Sequence, residues 1–103
     1  MTIVPYKEFI ELAGAAEIPE DLGRFDKAIT EAQKAKLRKR GIGTTGIDSS
    51  RKADRILCVA DYRFKRGLAT PGQMRTLRKL GVPDIGKKTF AEATAIIGNS
   101  AHW

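Results

Sequence analysis

Ala69-Thr70-Pro71-Gly72-Gln73-Met74-Arg75-Thr76-Leu77-Arg78-Lys79-Leu80-Gly81, continued by Val82-Pro83-Asp84-Ile85-Gly86-Lys87-Lys88 and then by Thr89-Phe90-Ala91-Glu92-Ala93-Thr94-Ala95-Ile96-Ile97-Gly98-Asn99, decides the reading of the fold. Thr70 and Gln73 have the spacing of a capping box, in which the hydroxyl accepts from a free first-turn amide and the Gln reaches back to the cap amide. Pro71 falls at the first helical position, where its missing N–H costs nothing. Met74, Leu77 and Leu80 share one side, and Gly81 can take the left-handed conformation that stops a helix. Thr89 and Glu92 repeat the box, Phe90, Ala93, Ile96 and Ile97 supply an apolar stripe, and Gly98-Asn99 is the expected stop. The stretch therefore predicts two short helices joined by a stiff connector, with amides and positive charge converging on the second helix as a phosphate site.

Working outward, Ser49 or Ser50 can cap a helix over 51–66, with Ala53, Ile56, Leu57, Ala60 and Phe64 facing inward and Gly67 as its stop. Asp61 and Lys65 have favourable four-residue spacing, and Tyr62 reads as packing before it reads as a stacking platform. Gly41-Ile42-Gly43-Thr44-Thr45-Gly46 matches Gly-x-Gly-x-x-Gly formally. It lacks the preceding strand and the directly following helix of a dinucleotide site, so a flexible turn is expected. Pro19-Glu20-Asp21 reads as the start of the longest helix, with Leu22, Phe25, Ala28, Ile29, Ala32 and Leu37 on one face, basic groups Lys36 to Arg40 in its last turn and Gly41 as its stop. Pro5 to Ala16 carries Tyr6, Phe9, Ile10 and Ala13 at helical spacing. No segment alternates as a strand does, so the expected fold is all-α, four or five helices in one small domain ending in a helix-extended loop-helix.

Length and charge bound the function. The 103 residues suit one domain with a modest core. No apolar run is long enough to cross a membrane and no leader pattern opens the chain, so a cytoplasmic or nucleoid-associated protein is expected. Cys58, the one cysteine, excludes an internal disulfide and reads as a small buried hydrophobe; with one His, at position 102, no metal cluster and no cofactor are expected. Residues 1–31 carry a balance of −4, and residues 32–103 carry +11, within a net charge of +7. The domain thus divides into an acidic segment, 1–31, a basic part with a Gly-rich turn, 32–68, and the helix-loop-helix module, 69–99. Such asymmetry marks a polyanion-binding surface in the second part. The run Lys34-Ala35-Lys36-Leu37-Arg38-Lys39-Arg40 reads as a phosphate contact through Lys36, Arg38, Lys39 and Arg40, as a targeting signal, or as a solvated face. A nucleophile–base pair is not evident, so no enzyme is expected.

Two family patterns overlap on the opening stretch. Val82 to Thr89 resembles the hairpin of the helix-hairpin-helix motif, with Asp84 in place of its first Gly and Phe90 in place of its Ala. Over about 30 residues, Ala-Thr-Pro-x-Gln, Leu-x-x-Leu-Gly, a connector and Thr-x-x-Glu-Ala-x-x-Ile-Ile resemble a helix-extended loop-helix module of the SAP-like kind. Similar segments lie near the carboxyl ends of helicases and other DNA-handling proteins of phages and mobile elements. The resemblance implies DNA binding through the backbone, by Lys87, Lys88 and Thr89 at the second helix start and by Arg75, Arg78 and Lys79 on the first, in an accessory domain of a helicase-like or other larger partner protein. The alternative is a protein-interaction adaptor whose acidic segment and apolar faces dock one partner while its basic face meets an acidic protein; exposure of Tyr6, Phe9 and Ile10 would favour it and their burial would count against it. RNA is a third partner; with no row of exposed aromatics expected, backbone contact is favoured over single-strand stacking.

Overall fold

In the computed structural model, which describes residues 3–19 and 27–100, the elements run β1 (Val4–Pro5), α1 (Tyr6–Ala13), α2 (Glu31–Lys39), β2 (Ile42–Gly43), α3 (Ser50–Lys65), α4 (Pro71–Lys79), a 3-10 turn (Ile85–Lys87) and α5 (Phe90–Ser100). The described chain is all-α apart from two two-residue strands. Both capping boxes of the module are formed. Gln73 N donates to Thr70 Oγ1 at 3.2 Å and Thr70 N to Gln73 Oε1 at 3.0 Å. Glu92 N and Thr89 N make the equivalent pair at 3.1 Å each. Gly81 takes φ 74° after α4, as its stop requires. Helix α5 continues through Gly98 and Asn99 to Ser100, so those two residues do not end it.

The core gathers on α1. Tyr6, Phe9, Ile10 and Leu12 are buried, and they meet Val4, Leu37, Ile42, Ile56, Met74, Leu77 and Ala93. Each fully buried Leu, Ile or Phe contributes about 1.5–3 kcal/mol. Val4 pairs in parallel with Ile42 and Pro5 with Gly43, and Val4 N donates to Gly41 O at 2.9 Å. The Gly41–Gly46 stretch is therefore a pinned segment rather than a flexible turn. Ile42 and Ile47 are buried beside it, and a side chain on Gly46 would crowd the Tyr6 ring at 3.2 Å.

Several expectations are corrected. The helix expected from Pro19 begins at Glu31. Thr30 caps it with a third capping box, Gln33 N donating to Thr30 Oγ1 at 3.1 Å and Thr30 N to Gln33 Oε1 at 3.0 Å. Residues 27–30 precede it without helical structure, Ala28 and Ala32 are exposed, and Glu20, Asp21, Leu22 and Phe25 lie outside the described residues. The longest described helix is α3. On it Phe64 is exposed, as is Tyr62, and the inward place belongs to Arg63. Cys58 is exposed rather than buried, Asp61 pairs with Arg40 at 3.3 Å, and Leu80 and Phe90 lie on the surface, outside their helices' buried stripes.

Arg63 closes the fold. Its Nη1 donates to Gly86 O at 2.8 Å and its Nη2 to Ala69 O at 3.2 Å, which ties the end of α3 to both connectors of the module. Those connectors also pair with each other, Ala69 N donating to Lys88 O at 2.9 Å and Phe90 N to Gly67 O at 2.8 Å. Gly86 sits in close approach to α1: a Cβ there would lie 3.0 Å from the Ala13 carbonyl oxygen, so the backbone at the end of α1 would have to give way to admit a side chain. Arg63→Met should lower the unfolding free energy by about 1–3 kcal/mol by leaving two carbonyls without donors. Urea denaturation checks this, with exposed Arg55→Met expected to stay within about 0.5 kcal/mol.

Candidate nucleic-acid interface

The sequence-predicted basic residues divide into two groups. Arg75 Nε lies 2.6 Å from Glu8 Oε2, and Arg78 Nη2 lies 3.1 Å from Glu11 Oε1. Acidic α1 therefore packs on α4 and neutralises two of the three cations expected to hold phosphates there. Lys79 stays exposed beside the same shallow depression.

The start of α5 is also committed internally. Lys87 N donates to Asp84 O, Lys88 N to Ile85 O, Phe90 N to Gly67 O and Ala93 N to Thr89 O. Both the hydroxyl and the amide of Thr89 serve the capping box, whose partner is a carboxylate. The Thr89 hydrogen bonds, backbone before side chain, hold the Glu92 carboxyl below its ordinary range, and Lys88 adds to this. A phosphate would meet negative charge at that helix end. What remains of the expected site is the pair of ammonium groups on Lys87 and Lys88. Asp84, the residue in place of the hairpin's first Gly, takes φ 54°, the one left-handed non-glycine among the described residues.

The start of α4 differs. Its capping box uses neutral Gln73, and Pro71 has no amide to satisfy. A groove of about 340 Å³ runs past it, lined by Lys39, Arg40, Thr70, Gly72, Gln73 and Thr76 among others. A smaller, mostly apolar hollow of about 130 Å³, lined by Phe9, Ala60, Leu68 and Pro71 among others, shares Lys39, Arg40 and Thr70 with it and reaches Arg63 and Phe64. Lys39 is exposed, with no carboxylate within salt-bridge distance among the described residues, and so are Lys36, Arg38 and Lys87. Arg40 spans Asp61 and the Phe64 ring, its guanidinium carbon 3.8 Å from the ring centroid. Beneath them Arg63 is 6% exposed, its Nε has no hydrogen-bond partner, and burial pushes its pKa down from the ordinary arginine value. Lys39 and the neutral-capped start of α4 thus border a groove suited to an anion, with Arg40, shared with Asp61, at its edge and the buried Arg63 lining the adjoining hollow.

The structure therefore brings Lys39 and Arg40 together with Thr70 across the groove and leaves Lys36 and Arg38 on the exposed flank of α2. It diverts Arg75 and Arg78 to α1. Of the residues lining the groove and its hollow, Arg63, Thr70 and Phe64 are those that sequence reasoning did not put forward as contacts. The spacing Ile56, Ala60, Arg63 held a signal for the first of these, since a stripe can advance by three as well as by four. Among the described residues there is no group of His, Cys, Asp and Glu able to hold a metal, and no helix is long and apolar enough to cross a membrane.

Glu92 gives this region a pH signature. Its folded pKa is lowered, so its stabilising contribution is present above the ordinary carboxylate range and is lost as pH falls through the folded value. Glu92→Gln keeps the box and removes that titration. Thermal melts from neutral to acid pH should show a shallower acid-side loss in this variant than in the parent chain. No family model matches the chain, and no curated protein or solved structure matches it.

Proposed function

We propose that the protein is a non-enzymatic nucleic-acid-binding domain that grips phosphates, with DNA as its partner, and that it works as an accessory domain to a larger DNA-handling protein. The observation that carries this reading is the groove at the start of α4. There Lys39, with no carboxylate partner among the described residues, and Arg40, shared with Asp61, border a helix N-terminus whose cap is uncharged, and the buried Arg63 lines the adjoining hollow. Lys36 and Arg38 extend the positive surface along α2, and Lys87 and Lys88 flank the connector that Arg63 holds. None of these contacts distinguishes one base from another, so the expected binding has little sequence preference. The adaptor alternative loses its docking patch, because Tyr6, Phe9 and Ile10 are buried at 4%, 1% and 6% exposure.

Fluorescence anisotropy with a labelled oligonucleotide at 50 and 200 mM salt tests the proposal. If about six phosphates are neutralised, affinity should fall about a thousandfold between the two conditions. Absence of binding, or binding indifferent to salt, overturns it. Lys39→Gln should weaken binding to all sequences alike and reduce the salt slope by about 1. The double change Glu8→Gln with Glu11→Gln removes the carboxylates that hold Arg75 and Arg78, and it should tighten binding at low salt.

A further inference from the structure

We infer that the strand bound is single, with unstacked bases resting on Phe64 and Tyr62 at the end of α3. This rests on the phosphate-binding reading and names its substrate class. Phe64 and Tyr62 are 64% and 55% exposed on a helix whose other side is packed. Large aromatic surface left in water is unfavourable, and here each ring is bordered by a cation, Phe64 also adjoining a hollow lined by Leu68 and Pro71. Each ring already carries a guanidinium, Arg40 at 3.8 Å from the Phe64 centroid and Arg66 at 4.5 Å from that of Tyr62.

Helix geometry fixes how these groups are displayed. At about 100° per residue, buried Arg63 points inward, so Tyr62 and Phe64 leave the helix on opposite flanks. Lys65 and Asp61 lie between them on the outward face. Asp61, the carboxylate between them at the end of α3, is paired with Arg40, which offsets its repulsion of a phosphate backbone. Phe64 also lines the hollow that opens into the groove of Lys39, Arg40 and Thr70. A strand with phosphates in the groove therefore meets the Phe64 ring on leaving it, and reaches Tyr62 only by crossing the outward face past Lys65. In a duplex the bases stack on one another and cannot use that face. An unpaired strand can, on either a deoxyribose or a ribose backbone, and its phosphates need the same cations.

Anisotropy titrations compare a mixed-sequence 20-mer as single-stranded DNA, as single-stranded RNA, as DNA duplex and as an abasic strand of equal charge. Tighter binding of either single strand than of the duplex supports the inference. So does a loss of about five- to hundredfold for that strand in Phe64→Leu and in Tyr62→Leu. These variants should bind the abasic strand as the parent does, which separates lost stacking from lost folding. Equal binding of single strand, duplex and abasic strand, unchanged by either substitution, overturns the inference and leaves the phosphate-binding reading standing. Absence of salt-dependent binding to all four probes overturns both.

Discussion

A guanidinium is expensive to bury, and Arg63 is buried with no carboxylate beside it among the described residues. Two carbonyl oxygens take up its donors instead, one from each connector of the carboxyl-proximal module. That arrangement makes the end of α3, the start of α4 and the 3-10 turn mutually dependent, and Gly86 completes it by letting the turn approach the end of α1. The cation left without a full counter-charge lies under the concavity where the surface cations of α2 meet α4. One interaction thus fastens the helices and sets the electrostatic character of the groove above it.

Charge in this molecule is arranged by pairing more than by composition. The acidic segment would be expected to stand apart from the basic module, yet Glu8 and Glu11 lie against Arg75 and Arg78. The exposed Arg78–Glu11 pair contributes little to stability, with about 0–1 kcal/mol typical of surface pairs, while Arg75–Glu8 is half-buried. Their larger effect is to decide which cations remain available to an external anion. Positive character moves from the outer side of α4 to α2 and to the ends of α3.

What could be read in advance was local. Thr70, Gln73, Thr89 and Glu92 act within a single turn, so spacing alone placed both caps, and Gly81 and Gly67 ended helices for equally local reasons. The same logic applied to Thr30 and Gln33, where the acidic residues after Pro19 competed as a start signal. Long-range facts were not legible. Phe64 and Arg63 are adjacent, each fits the inward stripe by helical spacing, and hydrophobicity favours the wrong one. Only the carbonyls of Ala69 and Gly86, supplied by distant parts of the chain, make the arginine the better interior residue. Arg75 and Arg78 likewise could not be discounted until α1 was seen against them.

The pairing of Val4 with Ile42, together with the packing of α1 on α4, bears on how the molecule folds. Helical domains of this size usually assemble quickly because most of their contacts are near neighbours in sequence. Here the helix that organises the core lies at the front of the chain, and its charged partners lie 67 residues further on. Closing so long a loop costs conformational entropy before the contacts that offset it are made. The all-helical fold therefore carries the kinetic character of a more entangled topology, and the order of events is constrained: α3, α4 and α5 can form local structure early, but the core is completed only when α1 returns to them.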